Sequence, residues 1–553
     1  MFNGILTLLS AGQIRDFYAG GFWRDDTIYG CVSRHASATP ERPAIRDRVR
    51  RIRYGALVEA ADRLAADLEA RGVKPGDRVA VWLPSRIETA VVLLACSRNG
   101  YLCCPSLHRD HTGGDIENLL RRMRATALIA ESGYGADAHR HSIFERTGTI
   151  PSLRAVYRLE AVSEANASAG LFPGAGATAG SASPPRTDPD TIVYLAFTSG
   201  TTGVPKGVMH SDNTLLANAR VMSDDWQLKD NTVLYSLSPL SHNLGFGALV
   251  LTLAHGGEFV VHDLSRGASL VDRLTEVDAT FLIGVPTHAI DLLNELRARN
   301  LDWLGRVKGF RISGAAVPPV VAASLLDHGV VPQSGYGMTE AGSHHYTRAD
   351  DTPARMTESS GRACAGYEIR VWSRDDRNAE VPAGEIGEIG GRGASLMLGY
   401  FDDQEATESA FNRHGWFMTG DLGRLDADGY LQVTGRRKDV IIRGGHNIYP
   451  ARIEALVMRH PGVAGTAVVP VDDDRLGEKA CLAVVPRSGH AVTAEEMLRH
   501  LDDAGLSRFD MPEYFVCVER LPVTPNGKVL KRELVEAIRR GAITPSPVRF
   551  VAS

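Results

Sequence analysis

Hydrophobic positions between residues 55 and 100 follow two different periods. Residues 55–72 carry apolar side chains at helical spacing and end on Gly72, which predicts a helix. The short apolar run DRVAVWL follows and predicts a strand, and residues 86–100 return to helical spacing that ends on Gly100. Helices that alternate with single strands are typical of an α/β fold with largely parallel strands.

The same alternation resumes at Thr191 and continues to about Leu431. Between the two stretches, residues 163–190 are rich in Ala, Gly, Ser and Pro, which predicts a loop or linker. After Leu431, apolar segments of both periods alternate over roughly a hundred residues, within the usual size of a domain. The pattern predicts a large N-terminal domain with mixed and parallel sheets, followed by a small C-terminal α+β domain.

Composition is consistent with a soluble protein of more than one domain. The chain has 553 residues, 44% hydrophobic and 23% charged, and this length exceeds what one ordinary core covers. The net charge of −5 argues against a general binder of the nucleic-acid backbone. We therefore expect no nucleic-acid partner.

Cysteine usage and the N-terminus bear on the compartment. None of the seven cysteines forms a C-x-x-C pair, so buried free thiols in a reducing compartment are the simpler interpretation. The opening residues contain a short apolar run without a basic flank, far shorter than a membrane span. We expect a cytoplasmic protein with no signal peptide and no membrane span.

The loop TSGTTGVPKG, residues 198–207, follows the apolar run TIVYLAF and has the chemistry of a phosphate-binding loop. Its glycines let the backbone approach an anion, its hydroxyls donate hydrogen bonds, and Lys206 adds one positive charge. The Walker pattern is absent, because Pro205 precedes the lysine and Gly207 follows it. A flexible surface loop is the alternative for a generic Gly/Ser segment.

This loop resembles the phosphate loop of the adenylate-forming superfamily, which includes acyl- and aryl-CoA synthetases, adenylation domains of nonribosomal peptide synthetases and beetle luciferases. Further motifs of that superfamily follow in its order along nearly the whole chain. They are SGAAVP (313–318), SGYGMTEAG (334–342), TGDLG (419–423), GRRKDVIIRGGHNIYPARIE (435–454) and PVTPNGKVLKREL (522–534).

The resemblance implies a reaction in two halves. A carboxylate attacks the α-phosphate of ATP and gives an acyl-adenylate and pyrophosphate, and a thiol, usually that of coenzyme A, then displaces AMP. The implied cofactors are ATP, Mg²⁺ and CoA. Because the first half brings two anions together, the site must offset negative charge.

The resemblance also implies which residues bind the nucleotide. Tyr336 is expected to stack on adenine, Asp421 to bind the ribose hydroxyls, and Arg436 to contact ribose or phosphate. Taken alone, Tyr336 would read as core packing and Asp421 as a turn residue. The full ATP- and AMP-binding set is Thr198, Ser199, Gly200, Thr202, Gly203, Lys206, Gly314, Ala315, Tyr336, Gly337, Thr339, Asp421 and Arg436.

Four residues are expected to be catalytic by the same resemblance: Lys528, Thr201, Glu340 and His242. Lys528 would bridge the substrate carboxylate and the α-phosphate, although a lysine on a tight turn is usually only solvated. Glu340 would be the Mg²⁺ ligand, since a hard cation prefers oxygen ligands; a charge at a helix N-terminus is its alternative. Thr201 or Thr339 would touch phosphate.

The hinge of the superfamily matches Lys438. This places the N-terminal adenylation domain at residues 1–437 and a mobile C-terminal domain at residues 438–553. In the superfamily the small domain rotates after adenylation and brings another face toward the thiol. Gly444 and Gly445 would then lie near CoA, because glycines permit close backbone approach.

The acid pocket is expected at His242, Asn243, Gly245 and Ala316. A histidine followed by an asparagine resembles aryl-acid activating enzymes, and small neighbouring residues leave room for a bulky cyclic or aryl acid. His242 packing in the core and orienting the loop is the alternative. Besides CoA, the acceptor could be a carrier protein, an amine or a partner enzyme after adenylation alone. A homodimer is left open.

Overall fold

The protein is described from a computed structural model. The described residues are 8–167, 170–172, 183–198, 205–265, 267–315, 317–444, 446–523 and 529–549.

The described strands are, in chain order, β1 (Pro43–Arg46), β2 (Arg51–Arg53), β3 (Arg78–Trp82), β4 (Leu102–Cys104), β5 (Ala125–Glu131), β6 (Ala155–Leu159), β7 (Ile192–Thr198), β8 (Lys206–Ser211), β9 (Val233–Ser236), β10 (Glu258–Val261), β11 (Phe281–Gly284), β12 (Gly309–Ile312), β13 (Val331–Met338), β14 (Gly342–Tyr346), β15 (Arg362–Ala363), β16 (Tyr367–Trp372), β17 (Gly387–Gly393), β18 (Phe417–Leu425), β19 (Leu431–Arg436), β20 (Ile441–Arg443), β21 (His446–Ile448), β22 (Val463–Asp473), β23 (Gly477–Pro486), β24 (Tyr514–Cys517) and β25 (Ser546–Pro547).

The described α-helices are α1 (Ala11–Ala19), α2 (Ile28–Ala38), α3 (Tyr54–Ala70), α4 (Ile87–Asn99), α5 (Gly113–Arg122), α6 (Asp212–Asp225), α7 (Asn243–His255), α8 (Leu270–Glu276), α9 (Pro286–Ala298), α10 (Pro319–Asp327), α11 (Pro353–Glu358), α12 (Gln404–Ser409), α13 (Pro450–Val457), α14 (Ala494–Asp503) and α15 (Lys531–Arg539).

Two large sheets form the N-terminal part, and both are parallel in their centre. The nine-stranded sheet has the order β15-β14-β13-β12-β11-β9-β10-β1-β2, and the six-stranded sheet has the order β6-β5-β3-β4-β7-β8. Antiparallel pairs occur at the edges, such as β13 with β14 and β7 with β8. The predicted α/β class is confirmed.

A single core joins the two sheets and contains α4. This helix is buried from Ile87 to Arg98, and its apolar residues belong to a cluster that also contains Val79 of one sheet and Phe259 of the other. Burial on all sides explains why residues 90–96 of this helix form an uninterrupted apolar run. The helix ends where predicted, at Gly100, which has a left-handed φ of +73°.

The stretch between β16 and β19 differs from the expected alternation. These strands form a four-stranded sheet in simple sequence order, and every neighbouring pair is antiparallel. Within it, α12 is the helix between β17 and β18. Short apolar runs do not fix whether strands pair parallel or antiparallel, because strand direction depends on the connections between the strands.

The predicted C-terminal α+β unit is confirmed. Its sheet has the order β21-β20-β23-β24-β25, and β22 pairs with β23 along their length. Helices α13 and α14 contribute to one apolar cluster and α15 to another, so the sheet carries apolar residues on both faces. Among the described residues, no helix is long and apolar enough to cross a membrane.

Candidate functional site

The predicted phosphate loop connects two antiparallel strands at the edge of the six-stranded sheet. Thr198 ends β7 and pairs with Lys206, which begins β8, and the Thr198 hydroxyl lies 3.5 Å from the Lys206 carbonyl oxygen. The strand expected before the loop is therefore present. The loop residues Ser199, Gly200, Thr201, Thr202 and Gly203 lie outside the described residues.

Lys206 and Glu340 are brought together by a tyrosine that the sequence motifs do not identify. The Lys206 Nζ lies 4.8 Å from the centre of the Tyr400 ring, and the Tyr400 hydroxyl donates a 3.0 Å hydrogen bond to Glu340 Oε1. A cation over a tyrosine face is attracted by the ring quadrupole. The candidate phosphate ligand and the candidate metal ligand therefore lie on either side of one side chain.

Glu340, the candidate metal ligand, lies near the Lys206 charge and accepts a hydrogen bond from Tyr400. It lies in the turn between β13 and β14 rather than at the start of a helix, so the helix-terminus alternative does not apply. Burial raises the pKa of Glu340, while the Tyr400 hydrogen bond and the Lys206 charge act in the opposite direction. A carboxylate oxygen next to a phosphate-binding loop fits the hard-ligand preference of Mg²⁺.

Tyr400 reaches this position because the chain around it pairs with β8. The Phe401 N–H donates to the Gly207 carbonyl at 2.6 Å, and the Met209 N–H donates to the Gly399 carbonyl at 3.1 Å. Tyr400 itself forms an antiparallel bridge with Val208. No local pattern could have predicted this contact, because the two segments are distant in sequence.

His210 is a second contributor that the motifs did not indicate. Its Nε2 lies 2.7 Å from the Thr339 carbonyl oxygen and its Nδ1 lies 3.0 Å from the Thr214 hydroxyl. Burial lowers its pKa to about 4, so the ring is neutral near pH 7 and positions the backbone of Thr339. Strand periodicity could have indicated His210, because Lys206 and His210 are four residues apart and therefore lie on the same face of β8.

The three residues predicted to hold adenine and ribose meet in one place. The Tyr336 hydroxyl donates a 2.8 Å hydrogen bond to Asp421 Oδ2, and Arg436 Nε lies 3.5 Å from Asp421 Oδ1. Asp421 and Arg436 are register partners across β18 and β19. Tyr336 is buried and meets His344 edge-on, so core packing and the hydroxyl contact occur together.

The neighbouring glycines have different structural roles. A Cβ on Gly337 would lie 2.2 Å from the Gly342 carbonyl oxygen, so only glycine fits between β13 and β14 there. Gly314 has a left-handed φ of +91°, and both Gly314 and Ala315 are exposed. Exposure leaves both residues open to a ligand. Ala316 lies outside the described residues.

His242 stacks on another histidine. Its ring lies 4.1 Å from the ring of His108 at an angle of 10°, and its Nε2 is buried without a hydrogen-bond partner among the described residues. Burial, followed by the nearby His108 and His111, lowers the pKa of His242 to about 2. A neutral, stacked ring at the start of α7 favours the alternative that His242 orients the loop.

A cavity lies between the nine-stranded sheet and helices α6 and α7. Asn243 lines it and lies 3.5 Å through Nδ2 from the Met338 carbonyl oxygen, and Gly247 also lines it. Gly245 is not among the described lining residues, because it packs against backbone: its Cβ would lie 2.3 Å from the Pro239 carbonyl oxygen. Gly245, in the first turn of α7, thus packs closely against the backbone of Ser238 and Pro239.

The cavity is small in this structure. The centre of a water molecule can occupy about 40 Å³ of it. A cavity of roughly 150 Å³ is known to accept benzene. A cyclic acid would therefore require lining side chains such as Met222 and Leu244 to turn aside.

The predicted hinge lies between two sheets. Lys438 is in a short 3₁₀ turn after β19, the last strand of the four-stranded sheet, and before β20, which belongs to the C-terminal sheet. Gly444 has a left-handed φ of +57°, whereas Gly445 and the predicted catalytic Lys528 lie outside the described residues.

Comparison with known proteins accounts for both parts of the chain. The family described as AMP-binding enzyme matches residues 32–401, and the AMP-binding enzyme C-terminal domain matches residues 452–528. The medium-chain fatty-acid–CoA ligase of Escherichia coli strain K12 is 31% identical over 523 residues, which cover 94% of this chain and 92% of that enzyme.

Two further comparisons extend over similar lengths. A feruloyl-CoA synthase from an Amycolatopsis species is 32% identical over 504 residues, covering 91% of this chain and 97% of that enzyme. The crystal structure of ATP-bound MatB from Rhodopseudomonas palustris is 28% identical with a TM-score of 0.79, covering 92% of this chain and 99% of that one. The resemblance to the adenylate-forming superfamily is confirmed, and the chain belongs to the family of AMP-binding enzymes.

Proposed function

We propose that this chain is an AMP-forming acid–CoA ligase whose acid is cyclic or aryl. The acid carboxylate attacks the α-phosphate of ATP and expels pyrophosphate, and the CoA thiol then attacks the acyl carbon and expels AMP. The relatives named as CoA ligases and synthetases support this two-step activation.

The observation that carries the proposal is the chain of contacts from Lys206 through Tyr400 to Glu340. It places a cation and a carboxylate beside the predicted phosphate loop. Tyr336 and Asp421 supply an aromatic ring and a carboxylate on the nucleotide side. These groups match what binding of ATP requires: donors for phosphate, acceptors for ribose, and a planar surface for the base.

Mg²⁺, held by Glu340 together with phosphate oxygens, would supply positive charge against the triphosphate. Among the described residues, no group of three or more His, Cys, Asp and Glu could hold a metal ion without such help. Thr201 is proposed to bind phosphate, and Lys528 to approach the acid carboxylate and the α-phosphate during adenylation. A lysine ammonium on a flexible stem suits a contact that is made in one step and released in the next.

Rotation of the C-terminal part about Lys438 is proposed to separate the two steps. Its support is the position of Lys438 between strands of two different sheets, and between the segments matched by the two family models. Domains 1–437 and 438–553 follow from this hinge. Gly444 and Gly445 would then approach CoA.

The compartment and partners are also proposals. Six of the seven cysteines are buried and all are free, which supports a reducing compartment such as the cytoplasm. CoA is the proposed acceptor, and a carrier protein remains the alternative acceptor. A homodimer would be tested by sedimentation at several concentrations.

The test is pyrophosphate release against a panel of cyclic, aryl and linear acids, with and without CoA, with product masses recorded. A thioester mass that requires CoA is the expected result. An acyl-AMP mass that persists with CoA, and is consumed by an added holo-carrier protein, would replace CoA ligation with carrier loading. ATP binding without pyrophosphate release from any acid would refute the enzyme proposed here.

A further inference from the structure

Arg311, on β12, is a fully buried cation without a counter-ion among the residues that the structure describes. It is 0% exposed, and its Nε, Nη1 and Nη2 make no hydrogen bond with any described residue. No described carboxylate lies within ion-pair distance of it. Burial lowers its pKa to about 10, so the guanidinium still carries its charge near pH 7.

The side chain of Arg311 points to the acid-pocket side of the nine-stranded sheet. Its neighbours Phe310 and Ile312 pack into a cluster on the opposite face, as strand alternation requires. Arg311 and its register partner Ile283 both line the cavity under α6 and α7. The same cavity also reaches His210, which contacts the carbonyl of Thr339.

Two neighbours fix the guanidinium in this place. Its Cζ lies 5.3 Å from the centre of the Tyr346 ring, which gives a cation–π contact. A Cβ on Gly335 would lie 1.7 Å from Nη1, so this glycine creates the space that the guanidinium fills. Gly335 directly precedes Tyr336 on β13, so the guanidinium packs against the strand that carries the residue predicted to stack on adenine.

A second orphaned polar group lies beside Arg311. Gln333 is its register partner on β13, is 0% exposed, and leaves both Oε1 and Nε2 without a partner among the described residues. Buried polar groups are nearly always hydrogen-bonded, and a buried unpaired charge is costly. Arg311 is such an exception at the cavity, and Gln333 is another beside it, which points to a ligand that supplies the missing partner of the guanidinium.

We infer that the acid carries a second carboxylate, and that Arg311 binds this distal group in the cavity while the first carboxylate is activated near Glu340. A guanidinium is a planar fork that matches a carboxylate through two parallel hydrogen bonds. A full negative charge, rather than a neutral acceptor, offsets a buried cation that has no counter-ion in the described part of the chain. The inference rests on the proposed function and narrows its substrate class to dicarboxylic acids.

The substrate test compares acids of one shape that differ at the far end. trans-Cyclohexane-1,4-dicarboxylate, 4-methylcyclohexane-carboxylate and 4-acetylcyclohexane-carboxylate present a charge, a methyl group and a neutral acceptor. A site built to hydrogen-bond a group discriminates strongly against analogues that lack it, so we expect kcat/KM for the diacid to exceed the methyl acid by about 10²-fold or more. A series of linear diacids of increasing length then measures which distance between the two carboxylates the site prefers.

The variant test uses Arg311→Met, with Arg306→Met as the matched control. Arg306 is an exposed arginine a few residues before β12. Arg311→Met should lower kcat/KM for the diacid by about 10²-fold while preserving or improving use of the methyl acid. It should not lower the melting temperature of the free enzyme, because it removes an uncompensated charge and keeps an apolar stem. Arg306→Met should match the parent protein in both assays.

Binding measured by calorimetry without turnover separates the two proposals. Diacid binding that Arg311→Met abolishes supports the inference even if no thioester forms. Turnover of the methyl acid with no preference for the diacid would overturn the inference and leave the ligase standing. Equal use of the acetyl acid and the diacid, or equal loss on all acids in Arg311→Met, would also overturn it.

Discussion

Tyr400→Phe removes one oxygen from the contact between the phosphate loop and the candidate metal ligand. The ring that faces Lys206 at 4.8 Å stays, whereas the 3.0 Å hydrogen bond to Glu340 Oε1 is lost. Since Tyr400 is buried and its ring is retained, the packing around it should be unchanged. The variant therefore tests the hydrogen bond alone.

The size of the effect follows from the charge of the acceptor. A hydrogen bond to an ionised group contributes about 1.5–3 kcal/mol, and about 1.4 kcal/mol corresponds to a tenfold change in an equilibrium constant. Loss of a partner that orients a metal ligand typically costs about 10- to 100-fold in metal affinity or activity. We expect the Mg²⁺ concentration at half-maximal adenylation to rise by about 10- to 100-fold.

The pH dependence of adenylation provides an independent test of the same hydrogen bond. Burial already raises the pKa of Glu340, and the Tyr400 hydroxyl opposes this rise because it stabilises the ionised form. Removing the hydroxyl raises that pKa further, so ionised Glu340 is lost at a higher pH than in the parent. The acid limb of the adenylation profile should therefore move to higher pH.

The assay is ATP–pyrophosphate exchange, measured against Mg²⁺ concentration and against pH. Tyr367→Phe is the matched control, because Tyr367 is also buried but its hydroxyl has no hydrogen-bond partner among the described residues. Tyr367→Phe should leave both profiles unchanged. An unaltered Mg²⁺ requirement in Tyr400→Phe would show that Glu340 does not hold the cation through this geometry.

Three other substitutions test the proposed roles. Lys528→Ala should slow adenylation by about 10²- to 10³-fold, as loss of one oxyanion donor does, while thioester formation from preformed acyl-AMP is spared; equal loss in both steps would contradict domain alternation. Lys438→Pro should restrict the hinge, and it should therefore spare ATP–pyrophosphate exchange and slow thioester formation. Thioester formation at the parent rate would argue against the hinge. Gly337→Ala places a Cβ 2.2 Å from the Gly342 carbonyl oxygen, which should cost about 1–3 kcal/mol of stability through overpacking. The displaced strand should raise the KM for ATP, whereas the control variant Gly114→Ala should not; an unchanged KM in Gly337→Ala would show that the strand pair adapts.

Local sequence patterns predict those elements whose buried face can be recognised from the spacing of apolar residues within one segment. Residues 55–72 predict a helix because the apolar side of α3 recurs at helical spacing and Gly72 follows it. The antiparallel sheet of β16 to β19 was not predicted, since strand direction depends on connections that no short window contains. Pairing partners of Lys206 were equally hidden, because Tyr400 reaches it only through tertiary pairing with β8.

Motif resemblance predicts which residues bind the nucleotide, but it does not predict the contacts that these residues make with one another. Tyr336 and Asp421, which are both predicted to bind the nucleotide, are hydrogen-bonded to each other, and this bond joins two strands that belong to different sheets. His242 is a different case: the motif predicts a pocket residue, and the structure shows a ring that is stacked on His108 and whose pKa is lowered by burial. A motif therefore predicts a set of functional residues, and the structure adds which groups each of them contacts.

The glycines of the site motifs show why a glycine-rich pattern alone cannot identify a ligand contact. Gly245 and Gly337 are required because a Cβ would collide with backbone oxygens at 2.3 Å and 2.2 Å. Gly314 and Gly444 instead have left-handed φ angles of +91° and +57°. In the sequence these residues look alike, although the first pair is needed for packing and the second for backbone turning. Gly335 has a third role: its missing side chain leaves space for the Arg311 guanidinium, which connects this glycine to the chemistry inferred for the acid.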